Sequence, residues 1–330
     1  MVDAIESGKP VFMLSGQGSQ APGMGADLLD VPEVGESFAC ASDAFGFDVG
    51  RLVAEGSSED LRGTVCAQAS ILAVSVGVSR ALAARGIEPV AVLGFSLGQI
   101  GALAVAGMLS IEETFALAAR RARIMERSAK NHPGAMCALL GADEQTVSEV
   151  CESCAEGEVL VPANYNCTGQ IVVSGSHDAI ARVQEAWASR KKRSVMLATE
   201  GAFHSPLMHE ASEELAAYLS AVQFCEARIP LICNVDAEPL SAADASDHLI
   251  RHLTQPVRFC ESVSSLVQAG ATDFVETGFG GVLVGFVKRI DKGAARTLVQ
   301  DKESFEAACE HYAGTAADDS ANLRHEQVKE

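Results

Sequence analysis

A chain of 330 residues is too long for one minimal domain and long enough for a large core with a smaller inserted unit. Hydrophobic residues make up 48% and charged residues 21%, the balance of a globular enzyme, while aromatics are only 5%, so the core rests on Ala, Val, Leu and Ile packed in helix and sheet layers. The net charge of −19 repels phosphate backbones and argues against a nucleic-acid partner; an acidic protein partner would need a local basic patch.

Three such patches stand out: Arg120, Arg121, Arg123 and Arg127; Lys191, Lys192 and Arg193; and Lys288 with Arg289. The last two read equally well as solvated faces. Ten cysteines lie without regular spacing. Cys151 and Cys154 form a lone C-x-x-C with no second pair and no nearby His, so no metal or redox role is expected there. The first ten residues lack a basic segment followed by an apolar run, and no secretory signal is read. These features point to free thiols and a cytoplasmic location.

In chain order, Pro10–Leu14 reads as a buried strand running into the small-residue loop Ser15–Gln20. Residues 64–85 are Ala-rich and apolar on more than one face, as in a buried helix. Val90–Leu109 is apolar except for Ser96 and Gln99 and approaches the length of a membrane span. Gly94 and Gly98 bracket Ser96, however, so a strand, a sharp turn and a buried helix explain the run better. An amphipathic helix follows over 111–129. From Gly134 the order becomes strand (135–140), helix (143–155, capped by Asp143), two strands (159–165 and 171–174), helix (177–189) and strand (194–197), the split βαβ order of a ferredoxin-like unit. Residues 206–222 read as a helix, 231–234 as a strand, 248–254 as part of a short helix, 262–269 as a helix and 273–276 as a strand. A glycine turn at 278–281 leads into a last helix through Arg289. From Ala313 the apolar periodicity ends and a disordered tail is expected. The expected architecture is α/β: an α/β-hydrolase-like large domain with a parallel sheet (1–130 and 200–312), an inserted ferredoxin-like small domain (131–199) and the tail (313–330).

Gly94-Phe95-Ser96-Leu97-Gly98 is a G-x-S-x-G segment placed after a strand and before a helix, the context of a nucleophile elbow. A serine hydroxyl needs a base within hydrogen-bond reach. Of eight His residues, His204, between a strand and a helix, is the leading candidate, with His209 one turn later as its rival.

Six segments occur in a telling order: Gly16-Gln17-Gly18-Ser19-Gln20, the Ser96 elbow, the Arg121 helix, Asn164-Tyr165-Asn166 with Gly169-Gln170, Ala202-Phe203-His204-Ser205, and Pro256-Val257-Arg258-Phe259. With them, residues 10–312 resemble the malonyl-CoA:acyl carrier protein transacylase family, shared with the acyltransferase domains of fatty acid and polyketide synthases. The resemblance implies malonyl transfer from malonyl-CoA to the phosphopantetheine thiol of an acyl carrier protein, supplying extender units for fatty acid or polyketide synthesis. It implies Ser96 as nucleophile, His204 as general base and acid, and the main-chain carbonyl of His252 as the group orienting His204. It implies Gln17 and Leu97 N–H groups as the oxyanion hole, Arg121 on the free malonyl carboxylate, and Phe203 and Asn166 at the substrate. Phe203 matches the malonyl-preferring pattern, in which its bulk excludes an α-methyl branch. No metal or cofactor is implied beyond malonyl-CoA and holo-acyl carrier protein, and a monomer is expected. The chain departs from the family at Phe95 (commonly His), Gln99 (commonly Glu), His252 (commonly Gln), Gly278–Gly281 (commonly Gly-Pro-Gly-Lys) and Ser15 (commonly Pro). Two rivals remain: an acyl hydrolase or esterase, against which Arg121 speaks, and a non-catalytic carrier-binding homologue, against which Ser96, His204 and Gln17 speak.

Overall fold

The computed structural model describes the backbone of residues 2–326 and the side chains of residues 2–314. The first stretch holds β1 (Pro10–Leu14), α1 (Pro32–Phe45), α2 (Val49–Glu55), α3 (Thr64–Ala83), β2 (Ala91–Gly94), α4 (Leu97–Val105) and α5 (Ile111–Asn131). The middle holds β3 (Ala135–Ala142), α6 (Glu144–Ala155), β4 (Leu160–Cys167), β5 (Gly169–Gly175), α7 (His177–Ser189) and β6 (Ser194–Met196). The last holds α8 (His209–Leu219), β7 (Leu231–Ile232), α9 (Ala245–Arg251), α10 (Phe259–Gln268), β8 (Asp273–Thr277), α11 (Val282–Ile290), β9 (Ala295–Val299) and α12 (Lys302–Glu326).

The architecture is mixed α/β. One sheet is parallel, ordered β7-β2-β1-β8-β9. Every residue of β1, β2 and β8 is buried, as in strands covered by helices on both faces. The second sheet is antiparallel, ordered β4-β5-β3-β6, with its own core around Trp187, Leu139 and Val173. A parallel bridge joins the two parts: Val257 N donates to Ala163 O (2.9 Å), and Tyr165 N donates to Val257 O (2.9 Å). This gives the Pro256–Phe259 and Asn164–Asn166 segments a shared physical role, since each holds the other across the cleft.

Capping sets several boundaries. Ser110 and Glu113 form a reciprocal capping box at the start of α5, and Asp143 accepts from Thr146 N at the start of α6. Among the described residues α3 is the one helix long and apolar enough to cross a membrane, and 83% of its apolar window is buried inside the fold. The apolar run 90–109 is divided between β2, the turn at Ser96 and α4. Helices α1 and α2 are additions to the elements read from the sequence, although Pro32 opens α1, Gly46 in a left-handed conformation ends it, and Asp48 caps α2 by accepting from Arg51 N. The sequence reading stops at Arg289, so β9 and α12 are additions as well. Disorder is expected from 313, but α12 carries the backbone of 313–326 as helix; the rest of that expected tail, 327–330, lies outside the described residues.

The basic helix α5 does not offer a free cationic face. Arg121 is buried, Arg120 and Arg127 both pair with Glu214, and Arg123 donates to the carbonyls of Ala44 and Phe45. Lys288 and Arg289, by contrast, are exposed at the end of α11.

Candidate active site

Parallel sheets place functional groups at the carboxyl ends of their strands, and β1 and β2 are neighbours in the centre of this one. Their ends give rise to the Ser15–Gln20 loop and the Ser96 turn, stitched together by Phe95 N donating to Leu14 O (3.0 Å). Ser96 itself has φ 50° and ψ −101°, a strained conformation for a residue with a Cβ. The flanking glycines are dictated by space. A Cβ on Gly94 would lie 1.9 Å from the Gly98 carbonyl carbon, and one on Gly98 would lie 2.1 Å from Leu14 O. Ser96 is also the N-cap of α4, so the positive end of that helix lies at the nucleophile; Gly98 N and Gln99 N are already engaged, with Phe95 O (2.9 Å) and Ser96 O (3.1 Å).

Ser96 Oγ lies 2.7 Å from His204 Nε2, and His204 Nδ1 lies 2.8 Å from the main-chain oxygen of His252. A carbonyl can only accept, so Nδ1 carries the proton. Nε2 is then a lone pair facing the Ser96 hydroxyl. His204 is buried and, like Ser96, has a positive φ (56°). Burial, reinforced by the charge of Arg121, pushes its pKa down to about 4, so the resting ring is neutral and its Nε2 lone pair is free to receive the Ser96 hydrogen bond. His209, the rival base, sits on an exposed surface beside Glu213.

Sequence reasoning missed the residue that holds this turn in place, Asn234 at the end of β7. Its Oδ1 accepts from Ser96 N (2.8 Å), its Nδ2 donates to Gly94 O (2.7 Å), and its own N–H donates to Gln99 Oε1 (2.7 Å). His252 Nε2 lies 3.2 Å from the same Oδ1 and donates to it. One amide thus ties the nucleophile turn to the residue whose carbonyl orients His204. Its only sequence signal was a polar side chain directly after a buried strand. Asn234→Ala would strand several buried polar groups at about 1–3 kcal/mol each. We expect a stability loss of about 2–4 kcal/mol, read by denaturant unfolding, together with slower Ser96 acylation; an unchanged midpoint would remove Asn234 from this role.

Arg121 is fully buried on α5. One guanidinium nitrogen, Nη1, donates to Gln68 Oε1 (3.1 Å), while Nη2 is buried without a partner among the described residues. Burial lowers its pKa to about 10, still far above neutrality. It is a buried cation with an unmet donor, and its charge lowers the pKa of both His204 and His252, after burial as the larger cause. Gln68 was the overlooked clue: a glutamine in the middle of an otherwise apolar helix.

A cavity of about 380 Å³ opens beside the elbow, between the two sheets. Gln17, Phe95, Asn166, Leu197, Val282 and Phe286 are among its walls. Ser96, His204 and Arg121 are not, although Phe95, directly before Ser96, is. Asn166 donates through Nδ2 to Gln170 Oε1 (2.9 Å), and its buried Oδ1 has no partner among the described residues. Phe203 is 4% exposed within the main core, next to His204 in sequence and not on the cavity wall.

The acyl transferase domain family matches residues 11–309. The chain belongs to this family. It is 36% identical over 304 residues to the malonyl CoA-acyl carrier protein transacylase of Bacillus subtilis, covering 91% of this chain and 96% of that one. It is 34% identical over 303 residues to the enzyme of the same name from Escherichia coli K12, covering 91% and 98%. Among solved structures, the malonyl-CoA:acyl carrier protein transacylase of Xanthomonas oryzae pv. oryzae superposes with a TM-score of 0.88 at 36% identity, covering 92% and 98%. A malonyl-transacylase in complex with its type II PKS acyl-carrier protein superposes with a TM-score of 0.88 at 33% identity, covering 92% and 99%.

As an acyl transferase, the chain explains most of its own departures. Phe95 packs edge-on against Phe259 (5.6 Å between centroids) and tilted against Phe286 (5.9 Å), so an aromatic cluster occupies the place of a polar side chain. Gln99 supplies the acceptor that Asn234 N–H needs, which a carboxylate would supply equally. Ser15 donates to the buried Glu276 (3.0 Å), whose other oxygen receives Val284 N (2.9 Å) at the start of α11. His252 keeps its main-chain role and adds a side-chain bond to Asn234.

Proposed function

We propose that the chain moves a malonyl group from malonyl-CoA to the pantetheine thiol of an acyl carrier protein through a malonyl ester on Ser96. The observation that carries this reading is the buried, partly unpaired Arg121 within electrostatic reach of the Ser96–His204 pair. A neutral acyl group would leave that cation unsatisfied, whereas a malonyl carboxylate supplies two acceptors for its fork.

In this mechanism His204 Nε2 takes the Ser96 proton as Oγ attacks the thioester carbon. The tetrahedral oxyanion sits between the N–H groups of Gln17 and Leu97. Its collapse expels coenzyme A, whose sulfur receives the proton from His204. The carrier thiol enters, gives its proton to His204, attacks the ester and leaves as the malonyl thioester, and Ser96 regains its proton. The malonyl carboxylate also cancels the Arg121 charge that depresses His204, so the base strengthens once substrate is bound. The reaction needs no metal or cofactor, and one copy of the chain carries every group named. Asn166, with its unpaired Oδ1 on the cavity wall, faces the incoming pantetheine arm. Lys288 and Arg289, on the helix whose first residues line the cavity, offer an acidic carrier a landing place. We infer that residues 131–199 form the inserted ferredoxin-like unit on an α/β-hydrolase-like body (1–130 and 200–312). The ten free cysteines suit a reducing cytoplasm.

The test is intact-protein mass spectrometry. Malonyl-CoA should add one malonyl group at Ser96, and holo-acyl carrier protein should remove it faster than water does. Discharge by water alone at the same rate would make the protein a hydrolase and sink the reading.

Acyl selectivity should respond to Phe203. A smaller side chain there should raise methylmalonyl relative to malonyl transfer by about 1–3 kcal/mol in kcat/KM, since relieving one clash gives no more. An unchanged ratio would assign Phe203 to the core alone.

The pH profile carries a second expectation. His204 works only as the neutral ring, and its folded pKa of about 4 lies below the unfolded value of 6.5. The acid limb of kcat/KM should therefore fall near pH 4, not near 6.5. Stability has the same sign. Between those two values the unfolded ring binds a proton that the folded ring refuses, so stability falls as pH drops through this window. An acid limb near the ordinary imidazole value would contradict the buried, Arg121-biased environment.

A further inference from the structure

Three side chains that the reaction does not use converge behind the elbow. Cys233 closes the turn after β7, Asp236 follows in the same loop, and His248 projects from α9. Their sulfur, carboxylate oxygen and imidazole nitrogen all lie within 4.8 Å of one another. His248 Nδ1 lies 2.9 Å from the carbonyl of Asp244, which can only accept, so Nδ1 carries the hydrogen. Nε2 lies 2.6 Å from Asp236 Oδ2, a hydrogen-bond distance with one proton shared between them. A metal ion would displace that proton and draw the two atoms apart to about 3.3 Å, since each bond to Zn²⁺ is about 2 Å. The Cys233 sulfur is buried, which pushes its thiol up to about 12 and keeps it protonated in the metal-free chain; Val235 N (3.5 Å) and Gln99 Nε2 (3.7 Å) donate to it and partly offset that burial. The Asp236 side chain is 38% exposed and that of His248 15%, so an ion has a path in from solvent.

We propose that Cys233, Asp236 and His248 form a binding site for a thiolate-seeking divalent cation of the Zn²⁺ class. One sulfur, one nitrogen and one oxygen donor form a set that such an ion accepts, with water completing the tetrahedron. On binding, the Cys233 S–H bond breaks, the sulfur–metal bond forms and the proton passes to solvent. If the pair is proton-bridged beforehand, that proton leaves too. Thiolate and carboxylate then balance the double positive charge beside a neutral imidazole, which suits a half-buried position. The site stands next to the catalytic frame: Cys233 precedes Asn234, and α9 leads directly to His252.

The test uses the full chain stripped with a chelator and titrated with Zn²⁺ or Co²⁺ alone. One equivalent should bind, Co²⁺ should show a near-ultraviolet thiolate-to-metal band, and Zn²⁺ should bleach it. Cys233→Ser should abolish the band. His248→Ala and Asp236→Asn, both at partly exposed positions, should each weaken binding by more than the roughly 10–100-fold typical of losing an outer-shell partner. Circular dichroism on each variant separates lost binding from lost fold. Failure to bind one equivalent, a missing thiolate band, or a band that survives Cys233→Ser would overturn the site. So would unchanged affinity in both outer variants, and the His248–Asp236 contact would then be a proton-bridged ion pair.

Discussion

Replacing Ser96 with Ala should abolish acyl-enzyme formation and lower malonyl transfer by on the order of 10⁴–10⁶-fold, the scale seen when a nucleophile is removed from a unit that acts together. The fold should not suffer. The Ser96 side chain makes one hydrogen bond, to His204, while its strained backbone is fixed by Asn234 through the main-chain N–H, which alanine retains. His204→Ala should cost nearly as much, and the double variant little more than either one, because a hydroxyl without its base and a base without its hydroxyl are equally idle. Intact mass after incubation with malonyl-CoA, beside an unfolding curve, checks both halves. A malonyl adduct on the alanine variant would place the nucleophile elsewhere.

The fold was legible where local chemistry and burial agree. The all-apolar strands at 10–14 and 91–94 can only sit inside a covered sheet, the Gly94/Gly98 pair marks the turn that ends the second of them, and Asp143 marks the start of α6. Helix α1 has only weak local marks, Pro32 at its start and Gly46 at its end, with no side-chain cap, and its burial depends on packing against α3, a partner about thirty residues away that no local pattern announces. The site divides in the same way. Ser96 and His204 stand in turns that the sequence marks, and the structure brings them to hydrogen-bond distance. Asn234 and Gln68 are single polar residues in apolar surroundings, and their meaning lies in which distant backbone or guanidinium they meet. The basic cluster on α5 misled for the opposite reason: four adjacent arginines look like one patch, yet the helix turns one of them inward and pairs the others with Glu214 or main-chain carbonyls.

Replacing Arg121 with Ala should separate malonyl from neutral acyl groups more sharply than any other change. In the intact protein the Nη2 group is buried and unpaired, at a cost that a bound carboxylate relieves. Removing the guanidinium leaves that carboxylate to be desolvated alone, a loss of about 3–5 kcal/mol, or roughly 10²–10⁴-fold in kcat/KM for malonyl-CoA. Acetyl-CoA carries no carboxylate and should lose far less; its transfer gains from the removal of a cation it never satisfied. His204 provides a second readout. The Arg121 charge helps to depress its pKa, so the acid limb of the variant should move upward from about 4, while burial, the larger cause, keeps it below 6.5. A merely structural arginine would lower both substrates in parallel and leave the acid limb where it was. Measuring kcat/KM for malonyl-CoA and acetyl-CoA across pH in both proteins decides between these outcomes, and a parallel drop would remove Arg121 from substrate recognition.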